Sequence, residues 1–60
     1  MKIYHLCEFL RSEDIYIIKN GRLLMHLVGE DAVKVTAAVY EHCNVVTIRP
    51  TNRAVEITIE

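Results

Sequence analysis

The stretch from residue 15 to residue 28, IYIIKNGRLLMHLV, has the form of a β-hairpin but lacks the polar face that a hairpin normally turns to water. Asn20-Gly21 sits between two apolar runs. A two-residue type I′ turn needs positive φ at both central positions, and Asn and Gly tolerate that best. Strands are therefore expected at about 14–19 and 22–28. A plain two-residue hairpin opposes Lys19 to Arg22, Ile17 to Leu24 and Ile15 to His26 on one side. On the other it opposes Ile18 to Leu23 and Tyr16 to Met25. Helices can cover one side; the other then exposes several large apolar groups, a patch that soluble monomers seldom carry.

A chain of 60 residues has limited means of hiding such a patch. A domain of this size buries only about 60% of the surface its unfolded chain exposes, so a lone monomer is marginal and help from a partner is expected. The hydrophobic content of 52% and the single proline nevertheless argue for a folded chain, because disordered chains are poor in such residues. If Tyr16, Ile18, Leu23, Met25 and Leu27 meet their own copies, each buried side chain contributes about 1.5–3 kcal/mol. A homodimer through the sheet or its edge is the expectation, with these five residues as the dimer or partner interface. The alternatives are a monomer wrapped by its own helices and a different protein seated on the same patch.

A second hairpin is expected from Val45–Arg49, a turn over Pro50–Arg53, and Ala54–Ile59. A four-residue loop would pair Ile48 with Val55 and Val46 with Ile57 inside, leaving Thr47, Arg49, Ala54, Glu56 and Thr58 outside. Between the hairpins, Glu30 to Cys43 contains neither Gly nor Pro. Its residues Ala32, Val33, Val35, Val39, Tyr40 and Cys43 suggest the inner stripe of an amphipathic helix. Glu30 and Asp31 suit the start of its dipole and His42 the end, with Asn44 as a left-handed cap. Residues 2–11 also fit a helix, since Ile3, Leu6, Cys7 and Leu10 follow i, i+3, i+4, i+7 and leave Lys2, His5, Glu8, Arg11 and Ser12 outward.

The expected fold class is α+β, a single domain over residues 1–60 with order αββαββ, its four-stranded antiparallel sheet packed by helices on one face. The alternative is βββαββ with an N-terminal strand. Helix followed by hairpin occurs twice, so residues 1–29 and 30–60 read as two helix-hairpin pseudo-repeats, with convergence of two ordinary hairpins as the alternative.

Chemical signals are sparse. His5, Cys7, His42 and Cys43 are ligand types that zinc accepts, which makes a metal-dependent structural domain one alternative. However, the adjacent His42 and Cys43 would point about 100° apart on a helix, and both cysteines lie on apolar stripes. No metal or other cofactor is expected. Cys7 or Cys43 with a histidine, or Ser12 near Asp14, could supply a nucleophile, but no specific nucleophile motif surrounds them. Gly21 and Gly29 belong to a turn and a boundary, not to a phosphate loop. The expectation is a protein without enzymatic activity. With only two cysteines, a disulfide framework is not expected either.

The net charge of −1 provides no overall attraction to nucleic acid or an anionic membrane. Lys19 and Arg22 flank one turn and Arg49 and Arg53 the other, so turns at the same end of the sheet would gather four basic groups able to grip phosphates. A nucleic-acid-binding module using these tips is therefore the competing reading. His5 and Glu8 interrupt the N-terminal apolar stretch, which reads as no signal peptide, and no apolar run approaches the roughly 18 residues of a membrane span. The expected setting is the cytoplasm, away from membranes. The leading expectation is a small homodimeric binding protein that regulates or inhibits another protein.

Overall fold

The computed structural model describes residues 1–10 and 14–60. The chain is a small α+β domain with two helices and a four-stranded mixed sheet. In chain order its elements are α1 (Ile3–Cys7), β1 (Asp14–Lys19), β2 (Arg22–Val28), α2 (Ala32–Tyr40), β3 (Val45–Thr51) and β4 (Ala54–Ile59). The strands are arranged β2-β1-β4-β3. β1 and β4 run parallel at the centre, which corrects the expectation of an antiparallel sheet. These two strands bring together Ile15, Ile17, Val55, Ile57 and Ile59, all buried. Aliphatic β-branched residues of this kind suit a parallel pair covered by other elements.

The parallel register sets Ile15 beside Val55 and Ile17 beside Ile57. Ile3 and Leu6 of α1 and Ala32 of α2 join the same core, so both helices lie on the face shown by these strand residues. The two hairpins are seated differently: the first places its opening strand at the centre, the second its closing strand.

The first turn is as expected, with Asn20 and Gly21 at φ of 53° and 75°. Its plain two-residue register holds for Lys19–Arg22 and Ile18–Leu23 and then shifts, so that Ile17 pairs with Met25, Tyr16 with His26 and Ile15 with Leu27. The extra residue of this β-bulge moves each later side chain of β2 to the other face. Met25 and Leu27 now sit opposite the buried isoleucines, and His26 moves beside Tyr16.

The second turn is tighter than expected. Thr51 pairs with Ala54, Pro50 with Val55 and Ile48 with Ile57, and Arg53 takes φ of 65°. Pro50 thus belongs to β3 instead of the loop, a place it can occupy because β3 is an edge strand. The expected pairings Ile48–Val55 and Val46–Ile57 are replaced, and Val46 falls at a register shift.

α1 buries Ile3 and Leu6, with Cys7 and Leu10 packed against the core, the inward set that the helical spacing selects. The helix itself covers less of the chain than 2–11, ending at Cys7 with Glu8 as its C-cap, and the residues before it pair on the strand side. Ile3 N donates to Cys43 O at 3.0 Å, Val45 N donates to Met1 O at 2.8 Å, and Lys2 bridges Asn44. Arg11 and Ser12, placed outward by the sequence pattern, lie outside the described residues.

α2 is shorter than Glu30–Cys43 and turns differently. Ala32 and Thr36 are buried, while Val33, Tyr40 and Cys43 pack at the margin of the core. Val35 and Val39 face outward, correcting the expected stripe. Thr36 takes the inner position because its Oγ1 donates to Ala32 O at 2.8 Å, which satisfies the buried hydroxyl within the helix. After Tyr40 the chain turns, with Cys43 N donating to Tyr40 O at 2.9 Å. His42 therefore lies beyond the helix, and Asn44 is not left-handed.

Truncating Ile57 to Ala should remove about 2–5 kcal/mol, a large share of what a domain this small can have. Thr36→Val should change stability by about 1 kcal/mol or less, since the lost bond only returns to its own helix. Denaturant unfolding of the two variants checks both; a large loss in Thr36→Val would show that the hydroxyl has a further role.

Candidate interaction surface

With both helices on one side, the opposite face of the sheet carries Asp14, Tyr16 and Ile18 from β1 and Ala54, Glu56 and Thr58 from β4. Among the described residues, no helix packs on it. Its composition divides down the middle. On the β1–β2 half, Tyr16 stacks on His26 with ring centroids 4.1 Å apart and planes at 9°. His26 Nε2 lies 3.8 Å from the Asp14 carboxylate. Around this stack Leu23 is 58% exposed and Val28 65% exposed, high values for aliphatic side chains in a strand. Leu24, at the bulge, is exposed as well.

The β4–β3 half is polar. Thr47 pairs with Thr58, Thr51 with Ala54 and Arg49 with Glu56, the last bringing Nε within 3.9 Å of a carboxylate oxygen. That ion pair is largely solvent-exposed and adds little stability, but it keeps this half hydrated.

The five residues expected at the interface are thus split. Tyr16, Ile18 and Leu23 lie along the apolar half, with Tyr16 and Ile18 half-buried and Leu23 exposed. Met25 and Leu27 lie on the helix side, half-buried, and Leu27 packs against the core. His26, Val28 and Leu24 are surface members that the sequence reading did not include. Only the bulge assigns them there, and no residue pattern announces it.

The four basic residues do not form one cluster. Because β1 and β4 are parallel, Asn20-Gly21 lies at one end of the sheet and Asn52-Arg53 at the other. A strand of six residues, such as β1, spans about 20 Å. Lys19 and Arg22 are separated from Arg53 by roughly that length along the strands, and Arg49, level with Tyr16 in the register, faces Glu56.

Among the described residues, no three or more His, Cys, Asp or Glu side chains come together as a metal site. His5 and His42 instead flank Tyr4, with ring centroids 4.1 Å and 6.3 Å from it. Cys7 and Cys43 are free thiols, both half-buried. Ser12, the other candidate nucleophile, lies outside the described residues. Among the described residues no helix is long and apolar enough to cross a membrane. Comparison of the chain with protein families, curated proteins and solved structures finds no match.

Burial pushes the Cys7 thiol above its ordinary value by penalising the thiolate. The folded protein should therefore alkylate slowly at Cys7 near neutral pH and faster as the pH climbs, whereas denatured chain should label readily. The sign for stability follows: a neutral thiol favoured in the fold contributes below the unfolded thiol's pKa and loses that contribution as pH rises beyond it. Mass spectrometry of iodoacetamide-treated protein across a pH series checks the labelling. Equal rates in folded and denatured chain would refute it.

Proposed function

We propose that this chain is a small non-enzymatic binding protein that works as a homodimer and regulates or inhibits another protein. The observation that carries the reading is the uncovered apolar half of the sheet, where Leu23 and Val28 stand exposed beside the Tyr16–His26 stack. A standard protein interface takes about 800 Å² from each partner, roughly a fifth of this chain's 4200 Å². Tyr16 supplies an aromatic anchor, and the Arg49–Glu56 pair and the threonines supply a polar rim, the arrangement that protein contacts favour. The cytoplasm is the setting of this reading, in keeping with the free thiols of Cys7 and Cys43.

Sedimentation equilibrium of the purified chain should give a mass of two copies in a concentration-dependent manner. Replacing both Leu23 and Val28 by Lys should shift the protein to a single copy with unchanged far-UV circular dichroism, because both side chains are exposed in the fold. A wild-type protein that stays monomeric at every concentration would overturn the homodimer. Nucleic-acid retention at low salt, lost on neutralising Lys19, Arg22, Arg49 and Arg53, would favour the competing class.

A further inference from the structure

The two edges of the sheet are finished differently. At the start of β3, the N-terminal segment pairs with the chain through Val45 N to Met1 O, Ile3 N to Cys43 O, and the Lys2–Asn44 bridge. Farther along, Pro50 has no N–H to offer, and a register shift interrupts the strand between Val45 and Thr47. These are common ways of keeping an edge from pairing with another chain. β2 has neither a proline nor, among the described residues, a bridging segment. Of its seven residues, RLLMHLV, only Arg22 carries a fixed charge. Its own bulge lies near the turn, so Met25 to Val28 run regularly against β1.

We infer that β2 is the homodimer contact: two copies pair β2 against β2 antiparallel, about a two-fold axis passing near Met25 and His26. This rests on the homodimer reading above and specifies its geometry. The charges favour a second copy in that orientation. β2 begins beside Lys19 and Arg22 and leads at its far end into Glu30 and Asp31. Antiparallel pairing lays the basic end of each strand toward the acidic end of the other, and two-fold symmetry makes the match twice. Parallel pairing would set like charges together. The middle of the strand, Leu24 to Leu27, opposes no fixed charges.

The consequence is a continuous sheet in which the apolar halves of the two open faces adjoin. Tyr16, Ile18, Leu23, His26 and Val28 of both copies then form one floor, with the polar β4–β3 halves as its two rims.

A cysteine scan across β2 tests the geometry. In a background with Cys7→Ala and Cys43→Ala, each residue from Arg22 to Val28 is replaced singly by Cys, and disulfide-linked dimer is measured after mild oxidation, beside sedimentation of each unoxidised variant. Cross-linking should peak at one or two positions around Met25 and His26 and fall several-fold toward both ends. A dimeric mass with no peak along β2 would overturn the edge geometry and leave the homodimer standing. A monomeric mass in the wild-type chain and the cysteine-free background would overturn the homodimer reading and this inference with it. Should the double alanine background fail to fold, amide exchange on the wild-type chain decides the question. Concentration-dependent protection confined to β2 supports the edge, and protection absent from β2 overturns it.

Discussion

The parallel contact between β1 and β4 is the interaction on which the rest of the structure depends. Neither hairpin can bury its aliphatic side alone, and joining them through Ile15, Ile17, Val55 and Ile57 creates the strip that both helices cover. The direction of this contact also sets features far from it. It sends the two turns to opposite ends of the sheet and leaves β2 and β3 as the edges. An antiparallel joint could have gathered the basic tips; the parallel one separates them.

Coverage from one side only is the second governing constraint. Both helices are short, five and nine residues, and contribute to one shared core. Small or self-satisfied residues, Ala32 and Thr36, occupy the inner positions of α2 and let it sit low over β1 and β2. Nothing in two such helices can reach around to the other face. The exposed apolar half of the sheet is thus a consequence of how little of the described chain is devoted to covering it.

What the sequence disclosed was mainly local. Asn20-Gly21 specifies its turn through backbone preference alone, and the spacing of Ile3, Leu6, Cys7 and Leu10 identifies an inward set without knowledge of what it packs against. The α+β class, with two helices and four strands, follows from such signals. The parallel joint was hidden because it depends on which strand of each hairpin turns inward, a choice between distant partners. Thr36 is absent from the expected inner stripe, and what lets it lie there is a bond to Ala32 O that a hydrophobic pattern does not register. At the candidate surface, a single extra residue near Leu23 and Leu24 changed the faces of Met25, His26 and Leu27. Tyr16 and Ile18 were legible there because they belong to β1, the strand without the extra residue, so the bulge leaves their face unchanged.

The central joint also governs the order in which the fold can assemble. Each hairpin closes over a short loop, and such closure takes about 1–10 μs. The β1–β4 ladder, by contrast, joins strands from opposite halves of the chain and must wait until α2 and β3 have been laid down between them. Contacts of that separation slow folding because ordering precedes the reward. Until the ladder forms, β1 presents its inner edge, IYII, unpaired. A chain whose hairpins close before the ladder has a second open apolar edge, one that its own β4 must reach before a neighbouring chain does.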